Sequence, residues 1–249
     1  MSLHFVVIHE MTEDYLHATE LADRGLIAAI DWLEEDALAF YRKWIGEYES
    51  SARLTWKAIP ALARAHRIRI TGFIDGEPAQ PDAKAALRAI RFVERTFPQV
   101  AAVVLIRDSD NQPERRQGLE QARQAHPKLP IAIGFAITER ECWILNGFES
   151  RDEREVAALA AERQTLGFDP RLRSEELTAG ADNDAQRSPK RVCQALTGNN
   201  WERMRACWLE TPLDVLRLRG AENGLASYLS EIQQQLAPLI GSSATGAEG

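Results

Sequence analysis

The sequence predicts an α/β protein with a mostly parallel central sheet flanked by helices, followed by a helical C-terminal region. Three unbroken apolar runs carry this prediction: LHFVVIH at 3–9, AAVVLI at 101–106 and PIAIGFAIT at 130–138. Strands that helices cover on both faces have continuous Val, Ile and Leu rather than an alternating pattern. Helical patterns separate the runs. The run at 101–106 is the expected central strand.

The length and composition of the chain limit the number of domains that we expect. The chain has 249 residues, of which 45% are hydrophobic and 27% charged, enough for one large domain or a domain with an appendage. We expect an α/β domain over 1–149, a helical region over 150–239 and a disordered tail over 240–249. No apolar run approaches the roughly 20 residues that span a bilayer, and the N-terminus lacks the pattern of a signal peptide. A cytoplasmic protein without membrane association is therefore expected.

The N-terminal half alternates predicted strands and helices. The strand at 3–9 ends before Glu10, and Thr12 is a candidate N-cap for the next helix. Glu13 and Asp14 suit the first turn of that helix through the helix dipole. The patterns predict further elements in this order: a long helix at 25–48, a helix at 56–65, a half-buried strand at 66–71, and helices at 83–97 and 112–125.

The C-terminal half is predicted to be helical. A charged amphipathic helix is expected over 149–164, an irregular polar segment over 168–186, and helices over 188–196, 201–208, 213–219 and 224–239. Pro189 suits the first turn of a helix that Ser188 would cap. The cysteines, Cys142, Cys193 and Cys207, are widely spaced and form no zinc-like pattern with the five histidines. We interpret them as buried thiols.

Acidic residues follow the apolar runs. Asp108 and Asp110 end the central run, Glu10 follows the first, and Glu139 and Glu141 follow the third. On its own, the D-S-D segment is as consistent with a turn as with a metal site. The carboxyl ends of parallel strands lie at the same end of a sheet, so these acids are expected to lie close together. A divalent cation would offset the repulsion among their carboxylates. Oxygen ligands alone favour Mg²⁺ or Mn²⁺ over zinc.

The balance of charge limits how the protein can bind a polyanion. The net charge is −7, with 37 acidic and 30 basic residues, whereas proteins that bind nucleic acid through bulk electrostatics are usually basic. Metal ions, local arginines or a partner would have to supply the attraction. Arg115 and Arg116, at the start of the predicted helix after the D-S-D, are either a solvated helix face or a clamp on phosphate.

These motifs resemble those of Toprim domains. I-H-E-M-T-E-D matches the family's glutamate motif through Glu10 and Asp14, and L-I-R-D-S-D-N matches its D-x-D motif. T-E-R-E-C-W-I-L and the later Pro189-Lys190 look like segments of small stand-alone Toprim-like proteins of the DUF4276 type, related to the overcoming-lysogenization-defect nucleases. Met11 replaces a glycine found in many relatives, which weakens the comparison with topoisomerases and primases.

The resemblance implies a site and two alternative functions. The implied catalytic residues are Glu10, Asp108, Asp110 and Lys190, and the implied metal ligands are Glu10, Asp14, Asp108, Asp110, Glu139 and Glu141. Lys190 would face the phosphorane, unless it is a solvated surface lysine, and Trp143 is expected to be core.

The first function is a metal-dependent endonuclease acting on DNA or RNA, the effector of an anti-phage defence system with an ABC- or SMC-like ATPase partner. The alternative is a Toprim-like regulatory or binding subunit without catalysis, whose acids hold a structural ion. Receiver-like or haloacid-dehalogenase-like phosphotransfer fits the acid spacing poorly. The sequence leaves homo-oligomerisation open.

Overall fold

A computed structural model describes residues 2–47, 53–70, 72–74, 76–178, 180 and 182–245 of the chain. They form an α/β fold with a four-stranded parallel sheet flanked by helices, which confirms the predicted fold class. The order of strands in this sheet is β2-β1-β5-β6. The elements through the last sheet strand are β1 Leu3–Ile8, α1 Thr12–Ala29, α2 Leu38–Tyr41, β2 Arg42–Ile45, α3 Ile59–Ala65, β3 Phe73–Ile74, β4 Glu77–Pro78, α4 Ala83–Thr96, β5 Val100–Asp108, α5 Glu114–Gln124 and β6 Ile131–Ala136.

Helices follow β6 and continue through the predicted helical region. They are α6 Glu141–Asn146, α7 Glu153–Leu166, a 3₁₀ turn at Ser174–Glu176, α8 Pro189–Thr197, α9 Trp201–Glu210, α10 Leu213–Arg219, α11 Leu225–Glu231, a π-helical turn at Ile232–Leu236 and α12 Ala237–Thr245. The last helix extends through residue 245, within the predicted disordered tail, and Ile240 on it is fully buried. Residues 246–249 of that tail lie outside the described residues.

The chain forms two units that are interleaved in sequence. The first unit comprises Met1–Arg107, Pro113–Gly134 and Ser230–Gly249, and the second comprises Asp108–Gln112 and Phe135–Leu229. The predicted domain boundary at residue 149 falls inside the second unit. Asp108 and Asp110 therefore group with the helices that follow β6, although Asp108 is also the last residue of β5.

The apolar runs form the buried strands that the sequence predicts. β1 pairs in parallel with β2 on one side and with β5 on the other, so that Phe5 lies opposite Trp44 and Ala102. Val6, Ile8, Val103 and Leu105 are all fully buried. Burial on both faces of the sheet explains why these runs lack polar alternation.

The continuous helix predicted over 25–48 is wrong within 25–47, and Tyr48 lies outside the described residues. α1 ends at Ala29, and β2 replaces the end of the predicted helix as the edge strand of the sheet. Trp44 packs on Phe5 with ring centroids 5.4 Å apart, and Arg42 donates from Nε to Asp23 Oδ1 at 2.7 Å. These long-range contacts outweigh the local helical periodicity, because strand formation depends on cross-strand packing.

The strand predicted over 66–71 is also wrong within the residues described. Residues 66–70 form no strand, and Thr71 lies outside the described residues. Arg67 has a φ of 56°, in the left-handed region, just after α3 ends at Ala65. A left-handed residue there reverses the chain and interrupts an extended segment.

The three cysteines are free and buried, as predicted. Burial raises the pKa of the Cys142 thiol to about 12 and that of Cys207 to about 11. Such thiols stay protonated at neutral pH and are poor nucleophiles. Among the described residues, no helix is long and apolar enough to cross a membrane.

Candidate metal centre

The D-S-D segment forms a turn that is fastened to the segment after β6. In the second unit, Ser109 donates its N–H to Ala136 O at 2.9 Å and its hydroxyl to Thr138 O at 3.2 Å. Asp110 donates its N–H to Thr138 O at 3.1 Å and has a left-handed φ of 46°. The buried Ser109 thus anchors the turn, and the aspartates on either side of it remain half-buried.

Asp108 is held against the start of α6. Its Oδ1 accepts a hydrogen bond from Arg140 N at 3.0 Å. α6 is itself anchored in the core, because Trp143 is buried, stacks on Tyr228 at 5.3 Å and donates from Nε1 to Asn223 O at 2.9 Å. The prediction that Trp143 is a core residue is confirmed. Core contacts within the second unit therefore hold the helix that contacts Asp108.

Glu139 is the most buried carboxylate next to this turn. Only 7% of its side chain is exposed, and its Oε1 accepts a hydrogen bond from Lys190 Nζ at 2.9 Å. Burial raises the pKa of the Glu139 carboxyl, the hydrogen bond from Lys190 opposes that rise, and the negative charges of Glu141 and Asp110 reinforce it. Glu139 therefore holds a proton more readily than an ordinary glutamate does.

Lys190 reaches Glu139 from the first turn of α8. Ser188 caps that helix by accepting from Arg191 N at 3.4 Å, and Pro189 occupies its first position, as predicted. Partial burial by itself would lower the pKa of Lys190, but the hydrogen bond to Glu139 and the charges of Glu141 and Asp108 raise it. Lys190 is accordingly a protonated cation at the acids, not a lysine pointing away from them.

These residues together define what we call the acidic cluster of the second unit: Asp108, Asp110, Glu139 and Glu141, with Lys190 as its lysine. Arg140 adds a second cation that the sequence reasoning missed, since its guanidinium lies 3.4 Å from Glu141 Oε1. Nothing in the E-R-E triplet distinguishes such an arginine from a solvated one. The structure thus brings together five of the predicted site residues within one unit.

Glu10 and Asp14 belong to the first unit and have other contacts there. Glu10 Oε1 accepts from Arg107 Nη1 at 3.0 Å. Asp14 is buried, and its Oδ2 accepts from Met11 N at 3.0 Å, which is the capping role that the sequence left open for it. Met11, not Thr12, is the N-cap residue, and the Thr12 hydroxyl instead donates to Glu47 at 2.5 Å.

The carboxylate oxygens of the cluster suit a hard divalent cation, but their positions do not match the geometry of metal coordination. Within the described residues, no group of three or more His, Cys, Asp or Glu side chains has the geometry to hold a metal ion. The acids of the cluster are instead engaged by Arg140 N, Lys190 and the Arg140 guanidinium. Carboxylate oxygens are the ligands that Mg²⁺ and Mn²⁺ prefer, so the residues fit such an ion in their chemistry.

The ion pair of Lys190 with Glu139 gives the first prediction. Lys190→Gln should destabilise the fold by about 1 kcal/mol at neutral pH, a modest value because the lysine is 43% exposed and solvent screens its charge. The stability tied to the raised pKa of Glu139 is present below its ordinary value of 4.5 and is lost as the pH rises through the raised value. Lys190 opposes the rise in the pKa of Glu139, so it stabilises the ionised carboxylate only, and the variant should match the wild type in acid and be less stable at neutral pH.

Melting temperatures at the two pH values measure this difference. The double variant with Glu139→Gln closes a double-mutant cycle, because without the carboxylate the lysine has no buried charge to compensate. An equal loss of stability for Lys190→Gln with and without Glu139 would show that the pair is not coupled.

Comparisons with known proteins leave the motifs as the basis of the Toprim resemblance. No family model matches the sequence, and no curated protein or solved structure is significantly similar to it. The resemblance therefore depends on Glu10, the D-x-D pair, the E-x-E segment and Lys190, and membership of that family stays a prediction.

Proposed function

We propose that this protein is a Mg²⁺- or Mn²⁺-dependent phosphodiesterase that cleaves nucleic acid. The observation that carries the proposal is the acidic cluster, in which four carboxylates and a lysine from distant parts of the sequence meet where β5 ends. Open α/β sheets place their active sites at the carboxyl ends of strands. The proposed reaction needs carboxylates for cations and a positive charge for the phosphate, and the cluster supplies both.

The chain's own residues would divide the work as follows. Asp108 and Asp110 would hold the cation, with Glu139 or Glu141 as further oxygen ligands. A bound divalent cation would polarise the phosphoryl oxygens and lower the pKa of an attacking water. Lys190 would balance the negative charge that develops on the phosphate. With Glu141 as the further ligand, Glu139, whose pKa is raised by burial, would be the residue suited to take up a proton during the reaction.

Partners follow from the net charge and from the resemblance. A chain with a net charge of −7 gains little from bulk attraction to a polyanion. We therefore propose that an ATPase partner helps to recruit the substrate, as the Toprim-like nucleases of defence systems imply. Cleavage by the isolated chain is then expected to be slow and to increase when the partner is added.

A regulatory subunit without catalysis is the second candidate. The specific observation in its favour is that three acids of the cluster already have partners within the protein: Lys190 binds Glu139, the Arg140 guanidinium lies against Glu141, and Arg140 N donates to Asp108. Such an arrangement can serve a stable interaction surface as well as an active site. The two candidates differ in whether phosphodiester bonds are broken.

The test is an incubation of the purified full chain with supercoiled plasmid, labelled single-stranded DNA and RNA. We expect nicked or shortened products with Mn²⁺ or Mg²⁺ and none with chelator. Co-purification from the native host identifies the partner, and the assay is repeated with the resulting complex. Intact substrates with both metals, with and without the co-purified ATPase, would contradict the nuclease and leave the regulatory subunit as the function.

A further inference from the structure

Two arginines of the first unit converge on one carboxylate oxygen. Arg107 Nε lies 2.8 Å from Asp82 Oδ2, and Arg115 Nε lies 3.6 Å from the same oxygen. The side chains are 17%, 14% and 20% exposed for Arg107, Arg115 and Asp82, so the group is shielded yet reachable from solvent. Two planar guanidinium groups that point at one oxygen match the geometry of a phosphate group.

Asp82 has an unusual backbone conformation at this position. It has φ 62° and ψ −12°, in the left-handed region, and it precedes α4. Its side chain makes no capping hydrogen bond to that helix, although aspartate is among the residues best suited to the role. A left-handed residue other than glycine costs on the order of 1 kcal/mol and is often found at ligand-binding sites. The carboxylate is directed at the arginines instead.

Arg107 lies at the carboxyl end of β5, where we propose that the active site is located. It is the penultimate residue of β5, it precedes Asp108 in the chain, and its Nη1 binds Glu10 just after β1 at 3.0 Å. Its guanidinium lies over the Trp56 ring, 5.5 Å from the centroid, and Trp56 donates from Nε1 to Ile106 O at 2.6 Å. Stacking on an anchored tryptophan fixes the direction of the guanidinium.

A comparable pair in the same unit shows what an ordinary structural contact looks like. Arg42 lies over Trp44 at 5.6 Å and binds Asp23, and its side chain is 17% exposed, the same as that of Arg107. Arg42, however, is the first residue of β2, so it lies at the amino ends of the parallel strands, whereas Arg107 lies near the carboxyl end of β5. Asp23 is also held by Trp44 Nε1 at 2.8 Å, a contact that a phosphate would not need. Arg42 is therefore a matched control.

We propose that Arg107 and Arg115 form a binding site for a backbone phosphate of the nucleic acid, and that the Asp82 carboxylate occupies the phosphate position in this structure. The inference rests on the proposed nucleic-acid substrate and adds the residues that position it. An incoming phosphodiester displaces the Asp82 carboxylate and takes over its hydrogen bond with Arg107 and its ion pair with Arg115. Such a local cationic site would allow a chain with a net charge of −7 to bind a polyanion.

The test is a binding measurement without metal, so that cleavage is not involved. Fluorescence anisotropy of labelled single-stranded DNA, duplex DNA and single-stranded RNA is followed in chelator across a salt series, with all variants made in an Asp108→Asn background. Arg115→Gln should weaken binding roughly 10-fold and lower the salt slope by about 1, the value for one phosphate contact. Asp82→Asn should strengthen binding, because the competing charge is removed.

Two further variants separate binding from folding. Arg42→Gln should leave affinity and salt slope unchanged, and Arg115→Lys should keep part of the salt slope because it keeps the charge. Melting temperatures show that each variant is folded at the temperature of the assay. Equal affinities for Arg115→Gln and Arg42→Gln, or no binding of any of the three polyanions by the parent protein, would overturn the inference.

The outcomes also separate this inference from the proposed reaction. Binding that depends on Arg115, in a wild-type protein that never cleaves, supports the phosphate site and contradicts the nuclease. Cleavage by the wild type combined with normal binding by Arg115→Gln supports the nuclease and contradicts the phosphate site. The ranking of the three polyanions identifies the nucleic acid that the site favours.

Discussion

Replacing Asp108 by asparagine is expected to reduce metal-dependent cleavage by roughly 10³-fold or more, which corresponds to the several kcal/mol that a metal ion supplies to the transition state. The physical reason is that asparagine lacks the negative charge with which Asp108 would hold the cation. The new amide still offers a side-chain oxygen to Arg140 N, which Asp108 Oδ1 contacts at 3.0 Å. The turn and the start of α6 should therefore keep their geometry, and the melting temperature in chelator should stay close to that of the wild type.

Asp152→Asn is the matched control for this substitution. Asp152 also belongs to the second unit, and its Oδ1 accepts from a backbone N–H, that of Glu155, at 2.8 Å. It lies outside the acidic cluster, so its variant should cleave at the wild-type rate. Asp108→Ala should be as inactive as Asp108→Asn but less stable by about 1 kcal/mol, because it loses the hydrogen-bond acceptor. Wild-type cleavage by Asp108→Asn would remove Asp108 from the mechanism.

Gly118→Ala is expected to destabilise the first unit by about 3 kcal/mol or more. Gly118 lies in α5, where a Cβ atom would stand 1.7 Å from Pro81 O and 2.7 Å from Ala83 N. Both neighbours are backbone atoms beside Asp82, so relief would require α5 to move away from the start of α4. Chemical denaturation followed by circular dichroism measures the loss of stability.

Gly241→Ala provides the control for this second prediction. Gly241 is also a helical glycine of the first unit, but a Cβ atom there meets none of the described atoms within 4 Å. Alanine should leave stability unchanged or raise it by up to about 1 kcal/mol through its higher helix propensity. Because Arg115 also lies in α5, a shift of this helix should in addition weaken nucleic-acid binding by Gly118→Ala at temperatures where it remains folded. A neutral Gly118→Ala would show that α4 and α5 are not in the close contact described.

The strands β1, β5 and β6 were predictable because their burial leaves a signal in the local sequence. Strands covered on both faces need continuous apolar residues, and each of these three has such a run. The edge strand β2 has no comparable signal, because its pairing depends on the contact between Trp44 and Phe5, far apart in the chain. At 66–70 the alternating pattern predicted a strand that the structure lacks, because nothing in the local pattern reveals the left-handed backbone of Arg67.

The candidate site divides in a similar way. The acids at the strand ends follow from the position of each strand, and Lys190 was a candidate through the resemblance alone; the structure places it 2.9 Å from Glu139, 51 residues away in sequence. Arg107, Asp82 and Arg140 were missed, because an arginine that binds an acid over a long sequence distance looks like any solvated arginine. Asp14 illustrates the converse difficulty: the structure shows its helix-capping contact, and a helix-capping acid and a metal ligand have the same appearance in sequence.

The most direct test of the central claim, that the acidic cluster binds a divalent cation, is a crystal of the protein soaked with Mn²⁺ and measured at a wavelength where manganese scatters anomalously. We expect an anomalous peak coordinated by the carboxylates of Asp108 and Asp110, at metal–oxygen distances of about 2.0–2.6 Å. The same peak should disappear in Asp108→Asn crystals. A manganese-saturated crystal with no peak at the cluster, and with Lys190 still bound to Glu139, would contradict the claim.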